Sequence, residues 1–169
     1  GTSEPFCGRA LQDGYREKVM LASKLPPWEI SSIDDCERIL DEQLEKCQTD
    51  HFDFYLVHCI LKTYWPLIER LKLNDWLRKI QEDGRVRHVG FSFHDDIELF
   101  KTVLDYYDWS FCQIQYNFLN ENHQAGTAGL KMAAEKGLGV IAMEPLLGGA
   151  ISDPPPTVQE MWDGSPYEP

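Results

Sequence analysis

Five short apolar runs, separated by helix-like stretches, constrain the fold of this chain more than any other feature. They cover residues 19–25, 54–60, 87–93, 111–117 and 139–145. Each is rich in β-branched or aromatic residues and too short for an ordinary helix. Each therefore reads as a strand covered on both faces, the mark of a parallel sheet. Ser32 with Asp35 three residues on looks like a capped helix start, followed by Ile33, Cys36, Ile39, Leu40 and Leu44 at helical spacing. Asp95 with Glu98 repeats the arrangement before Ile97, Leu99, Phe100, Val103 and Leu104. A third helix is marked by Trp76, Leu77 and Ile80 and stopped at Gly84; a fourth, by Leu130, Met132, Ala133 and Ala134, ends at Gly137. Strand and helix alternate at roughly thirty residues per unit, the size of a βαβ element.

Such a run closes into an eight-fold barrel or winds into an open sheet. No G-x-G-x-x-G follows any of the strands, which weakens the dinucleotide-sheet reading and favours a parallel (β/α)8 TIM barrel. A whole barrel takes about 250 residues and eight strands. With 169 residues and five strands the barrel is expected to be incomplete. Residues 1–150 read as the partial barrel and residues 151–169 as a proline-rich tail of the same domain, with at most one short helix at 157–162. Five strands alone would expose two sheet edges and an apolar interior, so the biological molecule is expected to be longer.

The formal net charge of −12 argues against nucleic acid or an anionic membrane face as the main partner. No segment has the apolar length of a membrane span, and the N-terminus lacks a signal-peptide layout. The five cysteines are scattered without a C-x-x-C pair, as expected of reduced thiols in a cytoplasmic protein.

Side chains alternate faces along a strand. With His58 turned into the barrel, Leu56 and Phe54 share its face, while Tyr55 and Val57 pack outward. The same parity puts Lys24, Ser92, Gln113, Gln115 and Met143 on the inner face near the C-terminal ends of their strands, where barrel enzymes carry their active sites. Singly, each has a packing explanation. Lys24 could emerge into solvent, His58 could bond a carbonyl in the core, and Met143 could be filler. Their convergence on one rim is what packing alone does not explain.

"REKVMLASKLP", "DFYLVHCI", "GRVRHVGFSFHDD", "CQIQYNFLN" and "GLGVIAMEPLLGG" stand in the order and spacing of the aldo-keto reductase family, and the resemblance covers nearly all of residues 1–150. "GFSFHDD" and "MEPLLGG" look most like a bacterial branch, some members of which carry a C-terminal iron–sulfur segment; that cluster is expected only in segments absent from this chain. The resemblance implies a (β/α)8 barrel that transfers hydride from NADPH, with NADH as the alternative, to a small-molecule aldehyde or ketone. The family uses an aspartate, a tyrosine, a lysine and a histidine. Lys24 and His58 match the last two; the aspartate and tyrosine are expected upstream of Gly1.

By the same resemblance Ser92 and Gln113 hold the nicotinamide carboxamide, and Met143 covers the ring where many members stack an aromatic. Pro145, Leu146 and Gly148 belong to the loop beside the pyrophosphate. Phe93 stands where many relatives have asparagine. His94, Asp95 and Asp96 read as a helix cap, and no metal is expected. The 169-residue chain alone is expected to lack carbonyl reduction. Two other readings stay open: a nucleotide-binding sensor or partner subunit without turnover, and a lyase using Lys24 as a Schiff-base amine. Tyr64 and Trp65 are expected to pack on a neighbouring helix.

Overall fold

The computed structural model of the chain describes residues 2–153, 155–163 and 165–166, the side chain of Met161 excepted. Helix α1 (Ser3–Ala10) leads into strand β1 (Ala22–Leu25). Then follow α2 (Ile33–Cys47), β2 (Phe52–Ile60), α3 (Trp65–Arg70), α4 (Leu73–Glu82) and β3 (Val86–Phe93). The rest is α5 (Ile97–Tyr106), β4 (Phe111–Gln115), α6 (Gly126–Glu135), β5 (Gly139–Met143) and α7 (Pro156–Asp163). The five strands form one parallel sheet in the order β1-β2-β3-β4-β5. Strand order follows chain order with no switch point, which is how a barrel winds and a doubly wound sheet does not.

The helices cover one face of the sheet. Leu25, Tyr55, Val57, Val89, Phe91, Phe93, Cys112 and Ile114 form the strand side of that core and are almost fully buried. The other face carries Phe54, Phe111 and Ile141, and Ile141 is 46% exposed. Alternation along each strand thus separates a packed layer from an inner layer, as parity predicts. No helix among the described residues is long and apolar enough to cross a membrane.

Helix α2 begins as its sequence implies. Ser32 Oγ accepts the Asp35 amide, and the Asp35 carboxylate accepts the Ser32 amide in return. Helix α5 differs by one residue. Asp96 is its cap, accepting the Leu99 amide at 3.1 Å, because the Asp95 carboxylate is turned to the Lys62 amide at 2.7 Å. Three strands are shorter than their apolar runs. Val19 and Met20 are exposed before β1 starts at Ala22. Asn117 leaves β4 to accept the Leu119 and Asn120 amides. Glu144 ends β5 with a left-handed backbone, φ 54°. The short helix α3 lay unmarked behind Pro66. Its first residue, Trp65, is buried edge-on to Tyr106 of α5 at 5.0 Å between ring centres, so Trp65 packs on a helix as expected.

Gly90 on the inner face of β3 lets Phe111 lie against the sheet. A Cβ there would stand 2.6 Å from both the Phe111 ring and its backbone oxygen. Gly90→Ala is expected to destabilise the protein by about 1–3 kcal/mol through overpacking. Urea unfolding of the variant against wild type checks this.

Candidate active site

Lys24 is the next-to-last residue of β1, and the two prolines that follow, Pro26 and Pro27, have no amide hydrogen with which to extend the strand. Its side chain points along the inner face, and Nζ donates to Gln113 Oε1 of β4 at 3.0 Å. His58, near the end of β2, shares with Lys24 a cleft of about 260 Å³ also lined by Glu4, Pro26, Glu29 and Gln43. The Trp28 ring lies 5.1 Å from the imidazole, centre to centre.

A β-bulge follows His58. The β2–β3 register slips between Val57 and Ile60, and Cys59 takes a left-handed φ of 52°. Ile60 thereby returns to the helix-side core, fully buried, while His58 and Cys59 both remain half-buried. The bulge is held by a hydrogen bond from the Cys59 amide to Ser92 Oγ at 2.7 Å. Ser92 is closed to solvent. Its oxygen is occupied in shaping β2, and the structure does not bring it to the surface of the cleft.

Charge at the cleft is set by burial. Burial lowers the Lys24 ammonium pKa, with Cys59 opposing. Burial, then the Lys24 and His94 charges, push His58 below the ordinary histidine range. His94 is lowered by burial and by the Lys24 charge. Burial raises the Cys59 thiol, against the pull of Lys24. Around the Lys24 ammonium, the shifts of His58, His94 and Cys59 all disfavour their charged forms.

The remaining expected residues lie on the adjoining strands. Met143 is half-buried on β5, in register with Gln115, and Gln113 is in register with Ile141. Pro145, Leu146 and Gly148 sit exposed in the turn after β5. Asn117 tethers that turn by donating to the Glu144 carbonyl at 3.0 Å, and Gly148 has φ 63°, which glycine adopts freely. The structure therefore gathers Lys24, His58 and Gln113 directly, with Met143 and the turn alongside. It also brings in Cys59, His94 and Trp28, which the sequence reading did not place there. Asp96 caps α5, and among the described residues no cluster of His, Cys, Asp and Glu is arranged to hold a metal. All five cysteines are free thiols.

The model of the Aldo/keto reductase family matches residues 1–161. This chain belongs to that family. Among solved structures, this aldo/keto reductase resembles the thermostable aldo-keto reductase Tm1743, solved with the inhibitor epalrestat, at 23% identity and a TM-score of 0.75, over 96% of this chain and 57% of that one. An aldo/keto reductase from Klebsiella pneumoniae in complex with NADP and acetate matches at 24% identity and a TM-score of 0.68, over 96% of this chain and 53% of that one. The holo form of aldo-keto reductase AKR11C1 from Bacillus halodurans matches at 21% identity and a TM-score of 0.70, over 90% and 51%. At these identities the likeness is one of fold. The chain spans little more than half the length of each of these structures, and its parallel sheet is a part of their α/β barrel.

Proposed function

We propose that this aldo/keto reductase chain supplies two catalytic groups to a nicotinamide-dependent oxidoreductase that reduces the carbonyl of an aldehyde or ketone. The observation that carries the reading is the convergence of Lys24 and His58, from neighbouring parallel strands, on one cleft. The donor set suits a nicotinamide nucleotide. The Gln113 amide offers its NH2 group to a carboxamide while its oxygen accepts from Lys24, Met143 offers a partly open apolar surface, and the turn of Pro145, Leu146 and Gly148 brings backbone close to solvent. Ser92 contributes by holding the bulge that aims His58. NADP, named for the Klebsiella relative, is the nucleotide assigned here, with NADH as the alternative.

When bound, the nicotinamide supplies the hydride. His58, neutral through burial and the Lys24 charge, donates an N–H to the carbonyl oxygen and orients it. Lys24 acts on a phenol. An unperturbed phenol has a pKa of about 10, and a neighbouring ammonium favours its ionised form and lowers that value. Tyr15 is exposed on a turn, and the Tyr55 hydroxyl is bonded to Gln43 in the core, so neither serves. The phenol is assigned to barrel residues outside this chain, and the activity to the protein as a whole.

The test is consumption of NADPH by the whole protein on addition of small aldehydes and ketones. His58→Ala is expected to lower kcat about 10²-fold. A protein that binds NADPH and consumes none with any carbonyl would be a sensor or partner subunit and would end this reading.

A further inference from the structure

Residue 43 breaks the pattern of its helix. The buried stripe of α2 runs Cys36, Ile39, Leu40, Gln43, Leu44, Cys47. A leucine at 43 would complete an apolar face, yet a glutamine stands there, 7% exposed. Burying a primary amide is costly unless both its ends are bonded. Both are. Gln43 Nε2 donates to the backbone carbonyl of Lys24 at 2.9 Å, and Gln43 Oε1 accepts from the Tyr55 hydroxyl at 2.8 Å. Only one orientation achieves this. A carbonyl can only accept, so the nitrogen must face Lys24, the oxygen must face Tyr55, and the phenol must donate. Tyr55 is fully buried on β2, which makes the far end of this link rigid.

We infer that Gln43 is the positioning residue for Lys24, anchoring the lysine backbone to the buried β2 phenol so that its side chain starts from a fixed point. The inference rests on the catalytic reading of Lys24 given above. Strand β1 has four residues, and Pro26 and Pro27 leave it without further ladder bonds beyond Leu25. The lysine therefore sits where the strand runs out of restraint. Its long flexible side chain must nonetheless cross the inner face to Gln113, two strands beyond β2. A flexible chain hits a fixed target only when its origin does not wander. Gln43 supplies that restraint from outside the sheet, at the one carbonyl adjoining the catalytic side chain.

The experiment uses the whole protein with two variants. In Gln43→Leu, kcat is expected to fall about 10- to 100-fold, as for a reacting group displaced by an ångström, with KM for the aldehyde unchanged. The alkaline limb of the kcat–pH profile should move upward, because the ammonium supports the phenolate less well. In Gln43→Leu/Tyr55→Phe the orphaned hydroxyl is removed. Thermal stability should recover while kcat stays low, a split that a merely structural role would not produce. Wild-type kcat in Gln43→Leu, or recovery of kcat together with stability in the double variant, would overturn the inference. A second readout is independent of turnover. With lysines labelled at the ε-carbon and Lys24 assigned through Lys24→Arg, the Lys24 signal and its titration should change in Gln43→Leu. An unchanged signal refutes the positioning role even in an active enzyme. A changed signal in a protein without turnover upholds it and refutes only the carbonyl-reducing reading.

Discussion

Replacing Lys24 by methionine in the whole protein is expected to lower kcat for carbonyl reduction about 10³- to 10⁴-fold, the upper range for loss of a proton-transfer system. Methionine approaches the length of the lysine stem and removes only the charge and the donor. The Gln113 side chain, which accepts from Lys24 Nζ at 3.0 Å, is then freed and keeps its amide for the cofactor, so the dissociation constant for NADPH should hardly move. Retained cofactor affinity with lost turnover places the defect in chemistry. A second readout follows from the electrostatics of the cleft. Lys24 is one of the charges that push the His58 imidazole below the ordinary histidine range, after burial. With that ammonium gone, the His58 titration midpoint should rise, and an NMR titration of the imidazole reports it. An enzyme that keeps its turnover after Lys24→Met would remove the lysine from the mechanism. A His58 midpoint that stays put would show that the two groups do not sense each other.

Much of this cleft was legible because parallel strands announce themselves as short apolar runs and alternate their faces. Parity alone assigned Lys24, His58 and Gln113 to one layer and Tyr55 to the other, and the five quoted motifs already resembled the family that the match over residues 1–161 shows. What failed to read was departure from regular alternation. The bulge at Cys59 requires a left-handed backbone at a residue that is not glycine, and nothing in "LVHCI" signals it. Through that single insertion Cys59 stays half-buried beside His58, and the Ser92 hydroxyl, which the resemblance gave to the carboxamide, accepts from the Cys59 amide. The Asp95 cap was misplaced by one residue because two adjacent aspartates are equivalent until Lys62 claims the first. Gln43 escaped notice because a polar residue inside an apolar stripe looks like an interruption. Only the distances to Tyr55 and Lys24 turn it into a link.

At the other end of β2, Asp53→Ala is expected to destabilise the protein by about 3–5 kcal/mol, the cost of leaving one largely buried cation, Arg16, without its anion. Asp53 lies five residues before His58, about 16 Å away along an extended strand. It is 3% exposed. Its carboxylate takes the Leu21 amide at 2.8 Å, Arg16 at 3.0 Å and Arg87 at 2.7 Å. Arg16 reaches on to Thr49 and to the His51 carbonyl, so one anion ties the approach to β1 to the starts of β2 and β3. The two arginines are not equal. The Arg16 side chain is 15% exposed and loses a partner it cannot replace with water, whereas Arg87 is 60% exposed. Arg87→Ala should therefore cost no more than about 1 kcal/mol. Burial alone would raise the Asp53 carboxyl pKa; the Leu21 amide and the Arg16 and Arg87 charges outweigh it and hold the carboxyl below the ordinary carboxylate range. A depressed folded-state pKa fixes the sign of the pH dependence. The stabilisation is fully present above the unfolded value of about 3.9 and is lost as pH falls through the folded-state pKa. Urea unfolding at neutral pH should separate wild type from Asp53→Asn widely, and the gap should close in acid. A gap that persists unchanged once Asp53 is protonated would mean that packing, and not the carboxylate charge, holds this end of the sheet.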